Sequence, residues 1–90
     1  MARAHLVHRN GGWRLFVALP CGRNWPTHYF VGAVAPTVQE RSQALTELNY
    51  ALAENGEWSW TEDSEQLDDS ASSVILIAVA PVVSMVGGAL

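Results

Sequence analysis

A chain of 90 residues and 9.8 kDa has room for one domain, since domains usually take ~100–200 residues, and its core is thin. Hydrophobic residues make up 49% and charged residues 16%, which excludes a disordered polyampholyte and a collagen-like chain. That composition is apolar for so small a domain and points to an oligomer or a partner. The net charge of −4 hides an asymmetry. All the Arg residues fall in 1–53 beside only Glu40 and Glu47, for +3, whereas 54–90 carry −7 and no base. Such a split marks electrostatic steering or head-to-tail association, unless the two halves fold together and neutralise each other.

Ala2 to Arg9 alternates, with Ala4 and Leu6 on one side and Arg3, His5, Val7 and Arg9 on the other. Asn10-Gly11 follows, and this pair between alternating runs predicts a hairpin, because both turn positions need φ > 0. The return strand is Trp13 to Leu19, with Trp13, Leu15, Val17 and Leu19 on the core side and Arg14, Phe16 and Ala18 opposite. A loop over 20–24 leads to a third strand, Thr27 to Val31, opened by Trp25-Pro26. Thr37 followed by Glu40 makes a capping box and starts a helix that the pattern carries to about Ala53. Its apolar stripe is Val38, Leu45, Leu48 and Leu52, widened by Ala44 and Ala51, and Asn55-Gly56 ends it. Glu57 to Thr61 alternates, with Trp58 and Trp60 on one face; these two and Trp13 are expected on the helix side of the sheet. Residues 62–73 read as an acidic loop. Val74 to Val83 reads as a central strand buried on both faces, and 84–90 as a fraying tail. Residues 71–90 carry no charge, yet Pro81, Gly87, Gly88 and the serines speak for that strand over a membrane span. The predicted fold is α+β: one mainly antiparallel sheet in β-β-β-α-β-β order with a single helix packed on one face, all within one domain, 1–90.

Few constellations carry chemistry. His5 and His8 point to opposite faces of a strand, and Cys21 and His28 lack the paired spacing of a zinc site, so no metal, cofactor or catalytic residue is assigned. One cysteine forms no intramolecular disulfide, and no apolar segment of signal-peptide length follows the N-terminus; the expected compartment is the cytoplasm. Arg3, Arg9, Arg14 and Phe16, with His5, His28 and Phe30, are placed on a second sheet face. Basic residues interleaved with aromatics can hold nucleic acid, but a pI of 5.1 opposes that partner. The acidic run Glu62, Asp63, Glu65, Asp68 and Asp69 lacks calcium-loop spacing; it offers either a solvated loop or a phosphate mimic that blocks a nucleic-acid-binding protein.

Two resemblances add to this. The order of elements and the Gly87-Gly88 tail are similar to the ubiquitin-like sulfur carriers, which activate a terminal glycine carboxylate; that implies removal of Ala89-Leu90. Trp25-Pro26-Thr27-His28, Pro36-Thr37 with Glu40-Arg41 and Ala44-Leu45, and the run from Glu57 to Ser64 resemble a family of small actinobacterial proteins of unassigned function. That resemblance runs to about Val79 and implies a compact single domain with no known activity. The expectation is a non-enzymatic protein-interaction or regulatory module. It forms a homodimer through the second sheet face, with Val7, Phe16 and Phe30 in the patch and the arginines near the partner's acidic loop. The sulfur carrier and the acidic inhibitor stand as alternatives. Neither nucleic acid nor a membrane is the expected partner.

Overall fold

The computed structural model describes residues 2–9, 11–19, 24–32, 34–64 and 71–85. The described elements are β1 (Ala2–Arg9), β2 (Gly12–Ala18), β3 (Thr27–Phe30), α1 (Val38–Glu47), β4 (Tyr50–Leu52), β5 (Ser59–Ser64) and β6 (Val74–Ser84). The described residues are therefore mostly antiparallel sheet with one helix, and they carry one strand more than the periodicity predicts. The strand order is β3-β2-β1-β6-β4, and β5 also pairs with β6. β6 is central: β1 runs along one side of it, while β5 and then β4 share the other.

The hairpin forms as its alternation dictates. Arg9 sits opposite Gly12, and Gly11 has φ 76, which the absence of a Cβ permits. Asn10 lies outside the described residues. The register then decides the faces: Ala4 lies opposite Val17 and Ala80, and Leu6 opposite Leu15 and Ala78. Of these, Ala4, Leu6, Leu15, Val17 and Ala78, with Trp13, Val82 and the helix residues Ala44 and Leu45, make up one buried cluster.

The capping box is present in full: Glu40 N–H donates to Thr37 Oγ1 (3.1 Å), and Thr37 N–H donates to Glu40 Oε1 (2.8 Å). The helix, however, stops at Glu47 rather than Ala53. Asn49 takes φ 68 as the left-handed terminator, and Leu48 N–H closes the last turn on Ala44 O and Leu45 O. Tyr50–Leu52 then pairs with Val82–Ser84, which gives the backbone groups on that side of the end of β6 a partner. The core stripe shifts accordingly: Arg41, Ala44 and Leu45 are buried, while Val38 is 58% exposed.

The predicted acidic loop begins later than expected, because Glu62, Asp63 and Ser64 pair with Leu76, Ile75 and Val74. Glu65, Asp68 and Asp69 lie outside the described residues, as do Gly87 and Gly88. The tail is anchored further than predicted: Ser84 pairs with Tyr50, and Met85 N–H donates to Asn49 O (2.9 Å). Pro81 is tolerated in a central strand by its position. Its carbonyl accepts from Ala53 N–H, so the N–H it lacks would point to the same side, at the junction between β5 and β4. Gly56 closes that junction, and a Cβ there would meet Ala53 O at 2.8 Å. None of the described helices is long and apolar enough to cross a membrane.

Candidate interaction surface

Alternation along five strands sends a second set of side chains to the side away from the buried cluster. Val7, Phe16, Ile77 and Val79 meet there, because Val7 lies opposite Arg14 and Ile77, and His5 lies opposite Phe16 and Val79. β6 is thus not buried on both faces. Ala78, Ala80 and Val82 are buried, whereas Ile75, Ile77, Val79 and Pro81 are only half-buried.

Three rings lie in a row on this open face. His5 stacks on Phe16 at 5.1 Å and 3°, and Phe16 on Trp25 at 5.6 Å and 11°. The Arg14 guanidinium sits 5.5 Å from the Phe16 centroid, a cation–π contact. Trp25 is 43% exposed and Tyr29 70% exposed. Beside the row, Arg3, Glu57, Ser59, Val79 and Pro81 line a shallow depression of about 300 Å³. Burial, and then the neighbouring Arg3, lower the His5 pKa below its usual 6.5.

That shift has a sign in stability. The unfolded chain binds a proton at His5 more readily than the folded one, so the folded state is favoured fully above about pH 6.5. The advantage is lost as pH falls from there through the lowered folded value. His5→Gln is therefore expected to flatten this part of the stability profile, read as the difference in urea midpoint between variant and wild type from neutral pH downward. Parallel profiles would contradict the assignment.

The opposite side holds further aromatic and basic residues. Arg41 lies over Trp58 (5.2 Å) and Trp60 (5.6 Å), and its Nε donates to Thr37 O at 3.3 Å. Burial lowers the Arg41 pKa from its usual value. Trp60 meets Trp13 edge-on at 6.1 Å, so the three expected tryptophans do share the helix side. His28 Nδ1 contacts Glu47 Oε2 at 3.2 Å, which ties β3 to the end of the helix.

Of the predicted surface residues, Arg3, Arg9, Arg14 and Phe16 lie together on the open face. Asp63 joins it on β5, opposite Ile75, while Glu62, opposite Leu76, points to the other side. His28 and Phe30 also leave the predicted set, because they pair with Leu15 and Trp13; Thr27 and Tyr29 take their places. Trp25, Tyr29, Glu57 and Pro81 escaped the sequence reading. Glu57 at least had a signal, sharing the parity of Ser59. Among the described residues, no three His, Cys, Asp or Glu side chains gather as a metal site would require.

Such an arrangement defines a small α+β domain with an open-faced antiparallel sheet. The chain belongs to the family described as a family of unknown function, DUF6303, whose model covers residues 1–90. The match thus extends through the C-terminal tail, past the Val79 limit of the sequence resemblance. No curated protein and no solved structure matches the chain.

Proposed function

We propose that this protein is a non-enzymatic, cytoplasmic interaction module that works through the sheet face opposite the helix. The observation that carries the reading is the state of that face: Val7, Phe16, Ile75, Ile77 and Val79 are half-buried side by side, next to exposed Trp25 and Tyr29. Soluble monomers rarely expose contiguous apolar patches beyond a few hundred Å², and aromatic side chains with arginine are the composition enriched at protein interfaces. Protein is favoured over nucleic acid as the partner, because the rings stack on one another and Asp63 and Glu57 flank the face.

The alternatives draw on other residues. A sulfur carrier would use Gly87-Gly88, and a phosphate-mimicking inhibitor would use Glu65, Asp68 and Asp69, all outside the described residues. Of the acidic run, Glu62 and Asp63 alternate to opposite faces of β5, which divides the negative surface such an inhibitor would present.

The test is the size of the assembly that holds the protein in a lysate of its native cells. Wild type is expected to migrate well above the mass of the free chain. Ile77→Arg, which places a charge in the centre of the patch, is expected to migrate as the free chain while keeping the wild-type circular dichroism. Identical migration of the two would refute the assignment of this face.

A further inference from the structure

The geometry points to one occupant of this face: a second copy of the chain, stacked face to face about a two-fold axis that runs parallel to the strands over β6. The inference rests on the reading of the face as an association surface and adds the partner and its register.

The charge layout selects the axis. On the open face Arg3, Arg9 and Arg14 lie on β1 and β2, to one side of β6. Asp63 on β5, and Glu57 just before β5, lie to the other side. Ile75, Ile77, Val79 and Pro81 of β6 divide the two. A two-fold axis lying between stacked faces and crossing the strands would set β1 over β1 and cations over cations. An axis along the strands exchanges the flanks instead, so that β1 of one copy lies over β5 of the other. It also leaves the level along the strands unchanged.

The levels then match. Arg3 is opposite Pro81. Ser59 is opposite Val79, and Glu57, two residues earlier, lines the same depression as Arg3 and Pro81, so Glu57 shares the level of Arg3. At the other end, His8 is opposite Leu76, which puts Arg9 level with Ile75 and therefore with Asp63. With the axis over β6, Arg3 meets Glu57 of the second copy, and Arg9 comes level with Asp63 of the second copy. Arg9 also has a contact within its own chain, so the Arg3–Glu57 pair carries the register. Ile75, Ile77 and Val79 pack on their own symmetry mates. The two depressions merge on the axis, where two Arg3 and two Glu57 alternate in sign around a closed ring.

The strands of both copies stay aligned, the arrangement that face-to-face sheet packing prefers. With the axis over β6 the strands that face each other are β1, β6 and β5; three strands at ~4.8 Å and about seven residues at ~3.4 Å give an overlap on the order of 340 Å² in projection, before side-chain relief is added. Stable interfaces bury ~800 Å² per partner, so this contact is small and the dimer is expected to be a weak one.

Sedimentation equilibrium of the purified full chain at tens of micromolar tests the proposal. Wild type is expected near twice 9.8 kDa, with the dimer weakened by high salt. Arg3→Glu and Glu57→Arg each set like charges against each other twice per dimer, so each alone is expected to dissociate at least ~tenfold more readily. Mixed in equal amounts, the two variants restore opposite charges at both contacts and are expected to form a heterodimer of wild-type strength. Charge contacts within one chain would not produce that rescue. Wild-type dimers from either single variant, or a mixture that stays monomeric, would overturn the register. A monomeric purified wild type would overturn the self-partner; if it still migrates in a large assembly in lysate, the association surface stands, and if it does not, both readings fall.

Discussion

Replacing Trp13 by alanine is expected to cost about 3–5 kcal/mol, and replacing Trp60 less than half as much. Both indoles lie on the helix side and touch each other edge-on, so their difference is one of burial. Trp13 is 5% exposed and part of the buried cluster, its ring tilted at 33° against His8 at 4.5 Å and set opposite Phe30. Its removal leaves a cavity that the surrounding strands cannot close, since the ladder fixes their spacing. Trp60 is 46% exposed and mainly covers the outer edge of Trp13 and the Arg41 guanidinium, so only the covered part of its surface is lost. A domain of this length holds ~5–13 kcal/mol in all, so Trp13→Ala takes a large share of it. Each kcal/mol moves the melting temperature of a small domain by ~4–8 °C, so Trp13→Ala should melt at least ~6–20 °C below Trp60→Ala. Equal melting of the two variants would contradict the burial described for them.

An equally large effect is expected between two neighbours on one strand. Leu6 is fully buried between Leu15 and Ala78, and Leu6→Ala is expected to cost about 2–5 kcal/mol. Val7 points the other way, to the half-exposed patch, and Val7→Ala in the monomer is expected to cost about 1 kcal/mol or less. Urea unfolding of both variants under dilute conditions measures the gap. A Val7→Ala loss as large as that of Leu6→Ala would mean that the second face is covered from within the same chain.

The first half of the sheet was legible because local chemistry and alternation agree there. Asn10-Gly11 and the alternating runs on either side specify the β1–β2 register, and every buried residue of that pair follows from it. The capping box was legible for the same reason: Thr37 and Glu40 are three residues apart and need no tertiary partner. Where long-range pairing decides, the sequence was ambiguous. The stripe Leu45, Leu48, Leu52 continues a helical period past Asn49, and only the ladder with Val82–Ser84 turns 50–52 into a strand. β3 has four residues with rings at three of them, His28, Tyr29 and Phe30, so hydrophobicity could not assign its faces. Glu62 and Asp63 are poor strand residues by propensity and pair because Leu76 and Ile75 lie beside them. Arg41 was overlooked as a buried residue because a charge on a helix normally faces water. Two tryptophans from β5 and the segment before it give its guanidinium a surface to lie on.

The candidate surface was legible in its cations and in Phe16, and less so in its flank. The odd-numbered residues of β6 belong to it because Val7 fixes their parity, a relation visible only once β1 and β6 are paired. Its acidic side reduces to Asp63 and Glu57 among the described residues. The sharp contrast between one covered and one open sheet face comes from a single ten-residue helix lying against a sheet several strands wide.

The most direct test is the solvent accessibility of the methyl groups on β1, β2 and β6, read by NMR as attenuation by a soluble paramagnetic probe. In a dilute sample shown to be monomeric, Val7, Ile75, Ile77 and Val79 are expected to be strongly attenuated, and Leu6, Leu15, Ala78 and Val82 to be unaffected. On raising the concentration the first set should become protected while the second stays as it was. Protection of both sets in the verified monomer would contradict the central claim that the face opposite the helix is open for association.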